Sequence, residues 1–389
     1  MGPEYSLLIG VPMKKFSCIA LFAASLFAPL TANAEPGVTD KAILIGQSAA
    51  LSGPAQELGL EMRLGAQLYF DQVNTAGGVH GRKIELVSLD DGYEPERAAA
   101  NTKKLIDEEK VLALFAYVGT PTSAAALPVF TEAKVPFIGA FTGAELLRSP
   151  FNRYIFNVRA SYFDETEKIV EHLTTTGITK IAVFYQNDAY GKAGLAGMEK
   201  ALNKRNLKIA ATATVERNSS DVGAPAKSIH TSQAEAVVMI SAYKSVAAFV
   251  KAMKIAGSTT QFHNVSFVGS KPLAAELGQD GIGVAVAQVV PFPWSGMQAV
   301  TRDYQEQMKK AGKGDLSFTS LEGYIAARVL VEGLKRAGKD LTRDKLISGL
   351  ESMANTDIGG YNINYSPTSH NGSRMVDLTI IGKSGKFMR

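Results

Sequence analysis

The sequence is almost devoid of cysteine, since Cys18 is the one thiol in 389 residues. Disulfides therefore cannot hold the fold together, and its stability has to come from an apolar core. Charge of one sign is not concentrated either: 41 basic and 37 acidic residues give a formal net charge of +4, without a block of like charges. Nucleic-acid-binding proteins carry a basic stripe. We therefore predict no nucleic-acid partner.

Motifs of common enzymes are missing as well. The sequence contains neither His-Glu-x-x-His nor Gly-x-Ser-x-Gly, and its histidines lack the spacing of metal ligands. The histidines are His80, His172, His230, His263 and His370. Gly191, Gly194 and Gly197 look superficially like a phosphate loop, but their spacing is wrong and helix packing explains them better. We expect no catalysis, no metal and no cofactor.

An export signal is predicted near the start of the sequence. Lys14 and Lys15 form its basic segment, residues 18–30 form an apolar run, and residues 32–34 form a small-x-small cleavage site. The run is shorter than the ~20 residues that a membrane-spanning helix needs, which argues against an anchor. We therefore expect residues 1–34 to be a leader cleaved near Ala34, and the mature protein to lie in the periplasm.

The mature chain of 389 − 34 = 355 residues is long enough for two domains. Short apolar runs alternate with amphipathic helices, a pattern typical of parallel sheets covered by helices. The predicted strands are 42–46, 84–89, 111–116, 135–139, 181–185, 209–214, 236–240, 265–268 and 284–290, and residues 154–158 are predicted to cross between the lobes. Three helices, at 297–311, 318–337 and 342–353, and a strand pair within 361–381 follow.

These patterns predict an α/β fold with two Rossmann-like lobes, whose parallel sheets are joined by a multi-strand hinge. The first lobe would contain residues 35–158 and 292–352, and the second lobe residues 159–291 and 353–389. The turn at 46–54 lacks the Gly-x-Gly-x-x-Gly pattern of a dinucleotide site. Open α/β sheets bind ligands at the carboxyl ends of their strands, and interdomain clefts are preferred pockets. We therefore expect a ligand site between the lobes.

Two candidate segments follow strands of the first lobe. Thr120 is predicted as the N-cap of a helix and Pro121 as its first residue. The N–H groups at such a helix start can bind a carboxylate or a phosphate, although a plain capped helix explains the same residues. Thr142 and Glu145 fit a capping box, which can still present the Thr142 hydroxyl to a ligand.

Two tyrosines follow strands of the second lobe, Tyr190 and Tyr243. One such tyrosine is usually a packing residue. When two tyrosines occupy equivalent positions, a role in the wall of a ligand cleft is as good an interpretation as a role in packing. Residues 269–272 end a third predicted strand in the same way.

Five stretches in their order resemble the type I periplasmic solute-binding proteins of ABC importers, specifically the branched-chain amino-acid-binding (Leu/Ile/Val-binding) group. They are residues 45–54, 74–82, 90–91, 119–128 and 187–191. No single stretch is decisive, but the ordered set runs over nearly all of the mature chain. The resemblance implies that two lobes close on a small solute and that the closed form is recognised by an ABC permease. It implies a monomer.

The same resemblance implies a set of ligand-binding residues. They are Leu58, Thr120, Phe141, Thr142, Gly143, Tyr190, Tyr243 and Lys271. Thr120 matches a hydroxyl that holds the ligand carboxylate, and residues 141–143 match a loop that contacts the carboxylate and the ammonium. Leu58 matches a side chain over the apolar part of the ligand, whereas Tyr190 and Tyr243 match residues that close on it.

One position departs from the amino-acid binders, which place a carboxylate where this sequence has Ser270 and Lys271. A buried ammonium that faces a lysine is disfavoured. Either Lys271 turns outwards, or the solute is an aromatic or aliphatic acid or an amide without an α-ammonium. A periplasmic sensor that presents its solute to a receptor is the alternative function, and an exported α/β enzyme is a weaker one.

Overall fold

The computed structural model describes residues 1–10 and 35–389, so the predicted export signal with its cleavage site lies outside the described residues. Met1–Ala34 and Glu35–Arg389 form separate units. Residues 1–10 are exposed and carry no regular secondary structure. None of the helices in the described ranges is both long and apolar enough to cross a membrane. The second unit contains the whole α/β fold.

The second unit alternates helices and strands along the chain. Its helices are α1 (Gln56–Thr75), α2 (Pro95–Asp107), α3 (Thr120–Glu132), α4 (Tyr162–Thr175), α5 (Ala189–Asn203), α6 (Gly223–Ser232), α7 (Tyr243–Ile255), α8 (Ser270–Leu277), α9 (Ala299–Lys310), α10 (Phe318–Ala337) and α11 (Arg343–Glu351). Its strands are β1 (Ala42–Ala49), β2 (Lys83–Asp90), β3 (Ala113–Phe115), β4 (Phe137–Ile138), β5 (Ile155–Phe156), β6 (Ile181–Gln186), β7 (Thr212–Val215), β8 (Ala236–Ile240), β9 (Gln261–Asn264), β10 (Ala285–Gln288), β11 (Thr356–Asp357), β12 (Asn362–Ile363), β13 (Asp377–Ile381) and β14 (Phe387–Met388).

The strands form two main sheets, and the predicted two-lobe α/β fold is confirmed. The sheet of the first lobe has the order β2-β1-β3-β4-β5 with parallel neighbours. The sheet of the second lobe has the order β14-β13-β10-β9-β8-β6-β7, in which β13 and β14 are antiparallel additions to a parallel core. Central strands such as β8 read as continuous apolar runs because both of their faces are covered.

Helix α10 packs along α1 beside the first sheet, although the two are far apart in the sequence. Glycine makes the close approach possible. A Cβ atom at Gly65 of α1 would overlap the carbonyl oxygen of Ser320, and a Cβ atom at Gly323 of α10 would overlap the carbonyl oxygen of Met62. The two helix backbones therefore touch directly at these glycines.

The chain crosses between the lobes at three places, which lie side by side. The Tyr361 hydroxyl shares its single proton between the carbonyl oxygens of Val158 at 3.3 Å and Val289 at 3.1 Å, so it joins all three crossings. The Asn157 N–H donates to the carbonyl oxygen of His370 at 2.9 Å. These contacts form the multi-strand hinge of the fold.

Two strand predictions are wrong. Residues 265–268 do not form a strand: β9 ends at Asn264, and Ser266–Val268 form a short 3₁₀ turn. The cause is that the Ser266 N–H donates to the Glu165 carboxylate instead of to a neighbouring strand. The strand pair predicted within 361–381 does not exist either, because β12 pairs with β11 and β13 pairs with β10 and β14.

A buried histidine on β9 makes stability depend on pH. Burial lowers the pKa of His263 to about 4, and the nearby His172 adds to the fall. Since the unfolded chain takes up this proton near pH 6.5, the contribution of His263 is complete above pH 6.5 and is lost as the pH falls towards 4. We expect His263→Phe to remove about 3 kcal/mol of the acid-induced loss in the free energy of unfolding between pH 7 and 4.

Urea unfolding at both pH values measures this difference. His230→Phe is the matched control, because His230 is exposed and its replacement is expected to leave the pH dependence unchanged. Parallel pH profiles for wild type and His263→Phe would contradict the prediction.

Candidate functional site

Thr120 opens helix α3 at the interlobe face of the first sheet. The prediction that Thr120 is the N-cap and Pro121 the first helical residue is wrong, because the helix begins at Thr120 and Gly119 is its N-cap. Gly119 adopts a φ of 101°, and a Cβ atom there would overlap the ring of Tyr93. The Thr120 hydroxyl is therefore not used as a cap, and it shares a hydrogen bond of 2.7 Å with the Thr142 hydroxyl.

Thr142 connects two further groups of the same buried face. It donates to the Tyr162 hydroxyl at 3.3 Å and accepts the Ala144 N–H at 3.3 Å. The capping box predicted for Thr142 and Glu145 is wrong: the 3₁₀ turn at Glu145–Leu147 has Ala144 as its N-cap and no side-chain cap. Gly143 lies against Tyr162, whose N–H donates to the Gly143 carbonyl oxygen at 2.7 Å. Thr120, Thr142 and Tyr162 thus form a buried chain of hydroxyl groups.

Five aromatic rings meet between the lobes, and we call them the aromatic cluster: Tyr93, Phe141, Tyr162, Tyr190 and Phe267. The Phe267 ring centre lies 4.6 Å from that of Tyr190, 5.1 Å from that of Phe141 and 5.9 Å from that of Tyr93. Tyr162 lies 5.5 Å from Tyr190. All five side chains are buried. Rings from the first lobe therefore pack directly on rings from the second.

Tyr190 enters the cluster at the start of α5. Asp188 is the N-cap of that helix, and its carboxylate accepts the Tyr190 N–H at 2.9 Å. The Tyr190 hydroxyl and the Arg159 Nε–H are both buried and have no hydrogen-bond partner among the described residues. A buried donor without a partner is costly, so such groups in a native fold require an explanation.

Arg159 belongs to a buried group that we call the ion cluster: Arg159, Glu165, Glu322 and Ser266. The Arg159 guanidinium donates to Glu165 Oε1 at 2.6 Å and to Glu322 Oε1 at 3.3 Å, and it also contacts the Ser266 hydroxyl. Glu165 Oε2 accepts the Ser266 N–H at 2.7 Å. The cluster therefore joins the hinge, α4, α10 and the turn that carries Phe267.

The charges of the ion cluster compensate one another. Burial alone would lower the pKa of Arg159, but Glu322 and Glu165 hold it above its usual value. Burial raises the pKa of Glu322 to about 7 against the charge of Arg159, and the charge of Glu165 adds to the rise. Burial also raises the pKa of Glu165, and the charge of Arg159 opposes that rise. The guanidinium is thus matched by two carboxyl groups whose ionised forms it favours. The Arg159 guanidinium is therefore not an unpaired cation.

A second part of the interlobe space is a pocket of about 450 Å³, which we call the mouth pocket. Its lining residues are Gln56, Glu57, Glu61, Tyr243, Lys244, Lys271, Pro272, Ala275 and Glu276. Tyr243 and Lys271, both predicted from the sequence, line this pocket and not the aromatic cluster. Leu58 is buried against Gly269, where α1 of the first lobe meets the residue before α8.

Lys271 is compensated by the opposite lobe. Its Nζ lies 3.1 Å from Glu61 Oε1 and 3.8 Å from Asp315 Oδ2, and its side chain is 39 % exposed. Burial raises the pKa of Glu61, and the charge of Lys271 opposes that rise. The lysine therefore faces a carboxylate of α1 across the interlobe boundary.

Residues 42–386 match the periplasmic binding protein family. The chain belongs to that family. The Leu/Ile/Val-binding protein homolog 7 of Brucella abortus is 26 % identical over 369 residues, which cover 88 % of this chain and 90 % of that protein.

Solved structures of similar proteins superpose over nearly the whole fold. A possible leucine/isoleucine/valine-binding protein from Rhodopirellula baltica is 34 % identical with a TM-score of 0.85, covering 90 % of this chain and 97 % of that one. A fatty acid ABC transporter substrate-binding protein from Thermomonospora curvata has a TM-score of 0.83 at 24 % identity, covering 91 % and 92 %. The likeness to the Thermomonospora protein shows a shared fold and nothing more.

The site residues predicted for this periplasmic binding protein include two of the five rings of the aromatic cluster, Phe141 and Tyr190, and none of the ion cluster. The composition of residues 265–268 predicts a strand, and a strand would not place Phe267 in the cluster. Tyr93 and Tyr162 lie outside the stretches that carry the resemblance. Arg159 did leave a signal, because it is a charged residue in the apolar crossing segment at 155–160. No pattern in the sequence indicates that Glu165 and Glu322 are the partners of Arg159.

Proposed function

We propose that this chain captures a small solute with a carboxylate or carboxamide group between its lobes and delivers it to an ABC importer. The observation that carries the proposal is the aromatic cluster with two unpartnered buried donors, the Tyr190 hydroxyl and the Arg159 Nε–H. Rings supply apolar contact area, and a few placed donors fix orientation, which is the usual composition of a small-molecule site.

The polar end of the solute would lie at the hydroxyl chain of Thr120, Thr142 and Tyr162. These three groups stand where α3 begins, so the N–H groups at the helix start add a favourable field for an anionic or strongly dipolar group. The apolar part would lie against the rings of Phe141 and Tyr190. Tyr243, Lys271 and Leu58 would line the route between the mouth pocket and this centre.

Closure of the lobes is the proposed mechanism of capture. The lobes, with the boundaries given from the sequence, would rotate about the hinge. Rim contacts such as Arg217 to Glu94 at 2.8 Å and Lys271 to Glu61 at 3.1 Å join the two lobes. Partly exposed pairs of this kind contribute little, about 0–1 kcal/mol each. The solute would shift the equilibrium towards the closed form by adding contacts to both walls.

The importer, the periplasmic location and the monomeric state are parts of the same proposal. The Brucella and Rhodopirellula proteins are named for leucine, isoleucine and valine, whereas a protein of the same fold is named for a fatty acid. The fold therefore accepts solutes of different chemistry, and the side chains of each cleft decide between them.

The solute can be identified by a thermal-shift screen of amino acids, aromatic acids, short fatty acids and amides. A solute at about a hundred times its Kd is expected to add roughly 2.7 kcal/mol to the free energy of unfolding. A screen in which no solute class shifts the transition would contradict solute capture. Turnover of a stabilising solute by the purified protein would contradict the absence of catalysis.

We expect Thr120→Val to weaken binding of a carboxylate found in that screen by roughly 1.5–3 kcal/mol, because it removes a hydrogen bond to a charged group, and binding of a neutral carboxamide by about 0.5–1.5 kcal/mol. Thr120→Ser keeps the hydroxyl and is expected to bind nearly as wild type. Isothermal titration gives both affinities, and urea unfolding verifies that the variants fold. Equal affinities for the valine and serine variants would remove Thr120 from the site.

A further inference from the structure

Both walls of the interlobe centre are built from aromatic rings. Tyr93 and Phe141 come from the first lobe, whereas Tyr190 and Phe267 come from the second. Phe267 touches one ring of its own lobe and two of the other, with ring centres 4.6–5.9 Å apart. When the lobes separate, these ring-to-ring contacts are lost on both sides. A planar aromatic solute between the walls would restore the same kind of contact.

The turn that carries Phe267 is fixed from behind. The Ser266 N–H donates to Glu165 at 2.7 Å and the Ser266 hydroxyl donates to Glu165 at 3.0 Å, while Arg159 holds the same hydroxyl. Since Glu165 and Arg159 are buried, this anchor is protected from water. The Phe267 ring is therefore a constant part of the second wall, and the solute has to fit against it.

The hydrogen-bonding groups beside the rings favour a solute that presents an oxygen acceptor. The carboxyl groups of Glu165 and Glu322 are both used by Arg159, so neither is left to neutralise an ammonium. Two unpartnered buried groups at the rings, the Tyr190 hydroxyl and the Arg159 Nε–H, can donate a hydrogen bond, and the unpartnered Gln186 Oε1 beside Tyr93 can accept one, as from a carboxamide N–H. Donors of this type suit a carboxylate or carboxamide oxygen.

We infer that the solute is a small planar aromatic compound that carries a carboxylate or carboxamide group and lacks an α-ammonium. This inference rests on the proposed function and specifies its solute. Rings on both walls recognise the planar part, and the donors bind the oxygen.

Isothermal titration of the purified protein with matched compounds tests the inference. Benzoate and cyclohexanecarboxylate share charge and carbon number but differ in planarity, benzamide removes the charge, and phenylalanine and leucine add the ammonium. We expect benzoate or benzamide to bind at least tenfold more tightly than cyclohexanecarboxylate and either amino acid. Binding of leucine, phenylalanine or cyclohexanecarboxylate as tight as that of benzoate and benzamide, or tighter, would overturn the inferred solute and leave solute capture standing. No binding by any class would overturn both.

A variant pair localises the preference. Phe267→Leu keeps an apolar side chain without a ring, and we expect it to reduce the benzoate-to-cyclohexanecarboxylate affinity ratio at least fivefold. Phe249→Leu is the matched control: Phe249 is buried and stacks on Phe184 at 4.0 Å inside the second lobe. It is expected to lower stability and leave the ratio unchanged. An unchanged ratio in Phe267→Leu, with the fold verified by urea unfolding, would remove Phe267 from the wall.

Discussion

Arg159→Met is expected to lower the free energy of unfolding by about 3–5 kcal/mol at pH 7. Methionine fills much of the volume but leaves Glu165 and Glu322 buried without the guanidinium that compensates them. The loss is expected to shrink as the pH falls from 7 towards 5, because the pKa of Glu322, about 7 beside Arg159, rises further when the guanidinium is removed, and protonation then cancels the uncompensated charge. Urea unfolding across this pH range measures both effects.

The control for this prediction removes all three charges together. A triple variant, Arg159→Met with Glu165→Gln and Glu322→Gln, is expected to recover most of the lost stability, since replacing a whole buried ion cluster is often nearly neutral. If Arg159→Met alone were as stable as wild type at pH 7, the compensation described here would be refuted.

The second large effect is expected at the contact between α1 and α10. Gly65→Ala normally favours a helix by nearly 1 kcal/mol, but here the added Cβ atom would overlap the Ser320 carbonyl oxygen. Because backbone atoms cannot move aside as a flexible side chain can, we expect a net destabilisation of about 1–3 kcal/mol. Thermal or urea unfolding gives the value.

Gly223→Ala is the matched control for Gly65→Ala. Gly223 begins α6, is exposed, and a Cβ atom there would meet no atom within 4 Å. The same substitution at this position is expected to leave stability unchanged or raise it slightly, up to about 1 kcal/mol. A Gly65→Ala variant that behaved like Gly223→Ala would mean that α1 and α10 can separate without cost.

The fold could be predicted from the sequence because most of its strands and helices are indicated by patterns of neighbouring residues. Buried parallel strands such as β6 and β8 appear as short apolar runs, and helices such as α10 show their period over many residues. The short strands were harder: the 265–268 segment has the composition of a strand, yet a single contact from Glu165 turns it into a 3₁₀ turn. That contact spans 101 positions, so no local pattern contains it.

The candidate site was predictable where the chain itself marks a strand end. Tyr190 and Thr120 follow strands directly, and the structure places both at the interlobe face. Arg159 and Glu322 show the limit, because they are 163 positions apart and meet only through the packing of α10. Whether a charged residue is compensated or available to a ligand depends on such partners. The sequence alone could therefore suggest a carboxylate site and say nothing about its charge balance.

The packing of α10 on α1 also determines when the first lobe can become stable. The Ser317 hydroxyl donates to Glu61 at 2.5 Å across 256 positions, and the glycine contact beside it spans a similar length of chain. A nascent chain that ends before residue 317 exposes the apolar side of α1 and lacks the helix that covers it. Contacts of such long sequence separation form slowly. The first lobe therefore completes its core only after the parallel strands of the second lobe have been synthesised, although its own sheet is synthesised first.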